Sequence, residues 1–243
     1  MEEVLKKFTD PYERKARLYP ALVAVLPVIV SIALYTDWLI LDASNAIYVA
    51  VMAGILFWLA GKARDLGKAV EKRLVAQWGG MPSVTLLRHR DQRLDKYTKQ
   101  RYHQAAEHLA GIPMPSFSEE ERAPADADER YRAVTSALLS RTRDTTEYGL
   151  LFKENINYGF WRNLRGLKPF ALAQAFLLVA YGVWHDFALI RSFNLPDGPD
   201  LVVVSIGVVA VVAWGLTITD DAVHRVAESY ALRLLEALDK VQA

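Results

Sequence analysis

Apolar residues fall in two blocks along the chain, separated by densely charged sequence. Residues 18–61 contain no Lys or Arg, and residues 169–218 contain only Arg191. Each block divides at a short polar break, giving apolar stretches at about 18–35, 46–60, 169–190 and 201–218. Runs near 18 residues that are apolar all round are what helices crossing a roughly 30 Å hydrocarbon core require, and soluble bundles seldom contain them. The second stretch is the shortest. At 1.5 Å per residue it covers about 22 Å, so it needs its flanks or a snorkelling Lys62 to span. Pro20 stands near a helix start, where proline is tolerated, and the interior Pro27 predicts a kink. Asn45 or Ser44 is a candidate N-cap for the second span. Trp38, Trp58, Trp184 and Trp214 lie near the ends of the stretches, as interfacial aromatics do. Gly54, Gly207 and Gly215 are candidate points of close helix approach.

Between the blocks the pattern changes to amphipathic. Ala63, Leu66, Val70 and Leu74 recur at helical spacing, which extends the second span to about Gln77, before Gly79-Gly80-Met81-Pro82 breaks it. Further helices are predicted at about 91–110, at 127–141 with Asp126 as cap, and at 150–164 leading into the third span. Residues 112–126 read as a Pro-, Ser- and Glu-rich loop, and Ser83 to Leu87 is the one strand candidate. After the last span, Val223, Val226, Tyr230, Leu234 and Leu238 form one side of an amphipathic helix that packs on the central domain or zips with copies of itself.

The expected fold is therefore an all-α integral membrane protein, with two transmembrane helical hairpins flanking a helical cytoplasmic domain and a C-terminal amphipathic helix. The expected boundaries are 1–17 for a cytoplasmic N-terminal segment, 18–61 for the first hairpin, 62–168 for the cytoplasmic domain, 169–218 for the second hairpin and 219–243 for the C-terminal helix. Met1 to Arg17 is too long and too acidic for a signal-peptide n-region, so the first span reads as a retained anchor.

Charge sets the direction. Lys6, Lys7, Arg14, Lys15 and Arg17 precede the first span, and Lys62, Arg64, Lys68, Lys72 and Arg73 follow the second. Arg162, Arg165 and Lys168 precede the third, and Arg225, Arg233 and Lys240 follow the fourth. The hairpin loops carry Asp37, Asp42, Asp186, Asp197 and Asp200, with Arg191 alone. The positive-inside rule puts both termini and the central domain in the cytoplasm. The net charge of +1 adds little to this. The absence of cysteine excludes disulfides, thiolate metal sites and a Cys nucleophile.

The most basic stretch is Arg88, His89, Arg90 and Arg93, continued by Lys96, Arg101, Tyr102 and His103. Guanidinium groups pair with phosphate oxygens and flat rings stack on bases, so these eight are the candidate ligand-binding residues. The plain alternative is a solvated helix face near anionic headgroups. Arg143, Asp144, Glu154, Asn155, Arg162 and Asn163 lie before the third span. They are candidate coupling residues, with Arg143, Glu154 and Arg162 expected to form ion pairs. His89, His103 and His108 lack the spacing of three or four that helical metal ligands need, so no metal and no cofactor is expected. No nucleophile stands beside a base, and no carboxylates are paired at catalytic spacing, so no enzyme activity is expected. The polar residues within the spans are Ser31, Gln174, Tyr181, His185 and Ser205, none of them a buried charge that would mark an ion relay.

Gln77-Trp78-Gly79-Gly80, Pro82, Leu86-Leu87-Arg88-His89-Arg90-Asp91, Arg101-Tyr102-His103, Thr142-Arg143-Asp144, Glu154-Asn155, Tyr158-Gly159-Phe160 and Arg162-Asn163-Leu164 together resemble a widespread family of small bacterial four-helix membrane proteins. Some members resemble the transmembrane effector of the Hailong anti-phage system, which works beside a nucleotidyltransferase. The resemblance covers the chain from about the first span to the third. It implies a homo-oligomer, such as a tetramer, that forms an ion channel. A nucleotide or oligonucleotide made by the partner nucleotidyltransferase would hold it shut, and opening would depolarise an infected cell. Four thin spans cannot enclose a pore alone, so a channel here requires copies. Two other readings stand beside it: a non-conducting membrane adaptor that recruits a cytoplasmic protein, and a headgroup-modifying enzyme using His89, His103 and Asp91.

Overall fold

A computed structural model of the protein describes residues 10–35, 43–185, 191 and 198–241. The described residues contain helices and no strand. They are α1 (Glu13–Tyr35), α2 (Ala43–Gln77), α3 (Pro82–Thr85), α4 (Lys96–Ala110), α5 (Phe117–Arg122), α6 (Pro124–Arg141), α7 (Gly149–His185), α8 (Pro199–Thr217) and α9 (Asp220–Val241). Among the described residues, α1, α7 and α8 are long and apolar enough to cross a membrane. The predicted second span is helical throughout as the first part of α2. Trp38 and the loop aspartates 37, 42, 186 and 197 lie outside the described residues.

The chain divides into two units, Met1–Glu71 with Gly159–Val223, and Lys72–Tyr158 with His224–Ala243. The first holds the apolar helices, and small residues dominate its packing. Ala21, Ala24, Ala63, Ala171 and Ala175 are fully or almost fully buried. A Cβ on Gly166 would come within 2.7 Å of the Gly67 nitrogen, so α7 and α2 touch backbone to backbone. A Cβ on Gly207 would likewise come within 3.0 Å of Ala175 O, whereas one on Gly54 or Gly215 would meet open space, so neither marks a close helix approach. Of the predicted stripe on α2, Ala63 and Leu74 are fully buried and Val70 half-buried, whereas Leu66 is exposed and Gly67 is buried in its place. Trp58 and Trp184 are exposed as expected of interfacial rings, but Trp214 is buried in the core of this unit.

The prolines of α1 are accommodated by neighbours. Its first turns are wound wide, so that Tyr19 N–H reaches back five residues to Arg14 O. Pro20 has no N–H for the Ala16 carbonyl four residues back. The Asn163 carboxamide supplies the missing donor, at 2.7 Å. Pro169 likewise sits inside α7 without ending it, and the predicted segment 150–164 runs on as one helix into the apolar stretch that follows. Inside the apolar helices, Ser31 and Ser205 donate to carbonyls one turn back, at 2.8 and 2.7 Å, and Gln174 donates to Ala24 O. His185 Nδ1 lies 3.1 Å from Asp200, which also accepts from Tyr35.

The second unit has a conventional core of Leu86, Leu87, Tyr102, Tyr131, Leu138, Leu234 and Leu238. The apolar face of α9 closes this core, which decides between the two packings its pattern allowed. Ser83 to Leu87 is not a strand. Extended Met81 followed by Pro82 starts a helical turn, with Val84 and Thr85 N–H bonded to Met81 O at 2.8 and 3.0 Å. Helix α4 starts at Lys96 rather than Asp91, because the Asp95 carboxylate accepts the Tyr97 and Thr98 N–H groups. The expected loop at 112–126 contains α5, fixed by a Ser116–Glu119 capping box. Pro124, not Ala127, opens α6, and Asp126 pairs with Arg130 at 2.9 Å instead of capping.

Candidate functional site

The eight predicted ligand residues do not form one basic surface. Arg88 is buried and forked onto Asp128, with Nε to Oδ1 at 2.8 Å and Nη2 to Oδ2 at 2.7 Å. Its Nη2 also donates to Gly79 O at 2.7 Å. Gly80, at φ 142°, passes so close that a Cβ there would sit 3.2 Å from this guanidinium. Arg93 is held by Asp91 and Glu228 and donates to Thr85 Oγ1 at 2.8 Å. Arg101 is forked onto Asp239 of α9 at 2.9 and 3.2 Å. Tyr102 is buried in the core, so its ring cannot stack on a base. Arg90 is exposed, 3.9 Å from Glu120. Three of the strongest cations therefore fasten the unit to itself.

The other three, His89, Lys96 and His103, line one cavity of about 350 Å³, together with Lys99, Gln100 and Gln104. Sequence logic explains the gathering. The N-cap at Asp95 starts α4, and helical spacing then puts Lys96, Lys99, Gln100 and His103 on one side. The chain before α4 brings His89 opposite. The two imidazoles meet edge to face, 4.8 Å between ring centres. Each Nε2 lies 2.7 Å from a backbone carbonyl, Pro115 O for His89 and Leu87 O for His103. A carbonyl oxygen only accepts, so each ring donates through Nε2. Burial lowers the His103 pKa below its ordinary value, against a smaller opposing effect of the Leu87 bond. Burial also lowers that of Lys99, whose ammonium donates to Arg88 O at 2.7 Å and to Asp91 O. Lys96 is exposed, with no side-chain partner among the described residues.

Two carboxylates that the sequence did not single out organise this unit. Glu120, buried on the short α5, accepts the His89 N–H at 2.7 Å and the Tyr131 hydroxyl at 2.8 Å. Asp128 holds Arg88. Neither stands out within its charged surroundings in the sequence.

The predicted coupling residues take separate roles. Asp144 accepts the N–H groups of Thr146 and Glu147 at 2.8 and 3.0 Å and so shapes the turn before α7. Arg143 and Glu154 make no ion pair among the described residues, and Asn155 stands on α7 beside Glu154. The expected Arg143–Glu154–Arg162 set is thus replaced by a pair between buried Arg162 and Glu71 at 2.6 Å. Burial raises the Glu71 pKa, but Lys68 and Arg162 outweigh it and hold the carboxyl below its ordinary value. Asn163 serves Ala16, as described above.

No family model matches the chain, and no curated protein or solved structure is similar to it.

Proposed function

We propose that the chain is a four-span membrane effector of the bacterial inner membrane, with both termini and residues 62–168 cytoplasmic. Copies assemble around an ion pathway that a small anionic ligand gates. The observation that carries this reading is how little of the apolar helices one protomer covers. Only 28%, 28% and 22% of the span windows of α1, α7 and α8 are buried. The remainder suits lipid and other copies of the chain. The cavity at His89, Lys96 and His103 supports the ligand part. At about 350 Å³ it lies at the lower end of the roughly 300–1,000 Å³ typical of ligand pockets. Its size, and the internal pairing of Arg88, Arg93 and Arg101, favour a mononucleotide-sized signal over an oligonucleotide. A role in anti-phage defence follows from the resemblance described above.

The test is ion flux in liposomes carrying the purified protein, with and without nucleotides. Ligand-dependent flux that is lost in Lys96→Gln and His89→Gln, with assembly unchanged, is the expected result. Arg88→Ala is not a clean probe, because it strands Asp128. Absence of flux under every condition would overturn the conducting reading. The adaptor reading then takes its place, favoured by the outward rings of Tyr97 and Phe117, 80% and 54% exposed, which suit a protein partner.

A further inference from the structure

A second cavity, of about 230 Å³, lies in the first unit between the start of α1 and the middle of α2. It is smaller than the roughly 300–1,000 Å³ of sites that enclose whole drug-sized ligands, so it suits a small polar group. Its lining changes character across its width. Leu18, Phe57 and Ala60 form an apolar side, and Arg17, Arg64 and Asp65 a charged side. This is also where both helices pass from apolar to charged sequence. The charged groups are unusually idle. Among the described residues, the side chains of Arg64 and Asp65 have no hydrogen-bond or ion-pair partner. Arg17 pairs with Glu13 through Nη1, but its Nε is buried and bonds to nothing among the described residues. Buried donors are almost always bonded, so an orphan N–H beside a cavity points to a missing acceptor.

We propose that this cavity binds the headgroup of a phospholipid bearing both a phosphate and a primary ammonium, as in phosphatidylethanolamine. Arg17 Nε and Arg64 donate to the phosphate, and Asp65 accepts from the ammonium. The acyl chains leave over Leu22 and Leu26, which are exposed on α1 one and two turns beyond Leu18 of the lining. Two cations beside two carboxylates, Glu13 and Asp65, match a zwitterion better than a purely anionic lipid. A choline headgroup, with no N–H, cannot satisfy Asp65. The site rests on the membrane reading above, in particular on the first part of α2 being a span.

The experiment uses the full chain in detergent and measures the unfolding midpoint while titrating phosphatidylethanolamine, phosphatidylglycerol, phosphatidylcholine or tail-free phosphoethanolamine. Phosphatidylethanolamine is expected to stabilise most. Arg64→Gln and Asp65→Asn should each weaken its binding about tenfold, the worth of one charge-assisted hydrogen bond. Both residues are exposed, so the variants fold. Phosphoethanolamine should stabilise only weakly, because the tails contribute; equal stabilisation by it would assign the cavity to a soluble phosphate ester instead. Equal stabilisation by phosphatidylcholine, or unchanged selectivity in both variants, would overturn the site. Membrane insertion is read separately, from Val51→Cys in vesicles. If a polar maleimide labels that position, the span fails and the site fails with it. If the position is shielded but no lipid selectivity appears, the site alone fails.

Discussion

The Asn163 carboxamide donates to the Ala16 carbonyl, 2.7 Å away, taking the place of the N–H that Pro20 lacks. Asn163 is completely buried, and Gly67 presses its backbone against it. Helices α1, α2 and α7 therefore meet at this polar contact. Asn163→Ala should lower stability by about 1–3 kcal/mol, the cost of an unmade buried hydrogen bond, in thermal unfolding of the detergent-solubilised protein.

Gly67→Ala drives a methyl group into Asn163 and should cost about 1–3 kcal/mol by overpacking. Gly54→Ala is the matched control, since a Cβ there meets nothing. Alanine's better helix propensity should leave that variant neutral or up to about 1 kcal/mol more stable. Equal destabilisation of the two would sink the close approach of α2 and α7.

Glu120 holds His89 and Tyr131 from a helix of only six residues. Glu120→Ala leaves both donors without an acceptor in the core and should destabilise the second unit by about 2–4 kcal/mol. Hydrogen exchange should show α5 losing protection first. Tyr131→Phe, which removes one donor and leaves Glu120 its other bond, should cost about 1 kcal/mol.

Stability should fall in mild acid. Burial holds the folded-state pKa of His103 below its ordinary value, so the unfolded chain takes up the proton first. Stability from this group is complete above about pH 6.5 and is lost as pH falls from there through the folded pKa. His103→Gln should flatten the dependence in denaturant titrations between about pH 5 and 7. An unchanged slope would locate the proton uptake elsewhere.

The chain has no native cysteine, so single cysteines report topology without background. Ser118→Cys should react with an impermeant maleimide only from the cytoplasmic side. Ser192→Cys should react only from the opposite side. Labelling of both from one face would refute the hairpin arrangement.

The apolar helices were legible in the sequence because length and uniform hydropathy are local properties. So was the amphipathic face of α9, whose spacing does not depend on its neighbours. The start of α4 was misplaced because Asp91 and Asp95 are both acceptable caps, and only the loop that packs under α4 selects Asp95. Helix α5 was hidden by its composition: a capping box is visible as Ser116 and Glu119, but six residues are too few for periodicity. How the basic stretch divides between cavity and internal ion pairs was not legible in the sequence. Charge density is written in the sequence, but the carboxylates that consume it, Asp128, Glu228 and Asp239, are distant in the chain. Three of the predicted residues, His89, Lys96 and His103, do line one cavity, because helical spacing on α4 is a local property.

The donor to Ala16 stands 147 residues later in the chain. At roughly 5–20 residues per second of synthesis, that interval is on the order of ten seconds. Throughout it, the nascent α1 lacks the side chain that serves this carbonyl in the folded protein. Lipid cannot serve it, so the turn around Ala16 has to stay at a wet boundary until α7 emerges. The order of translation thus sets how deep α1 can settle, and its final seat is reached only after α7 has arrived.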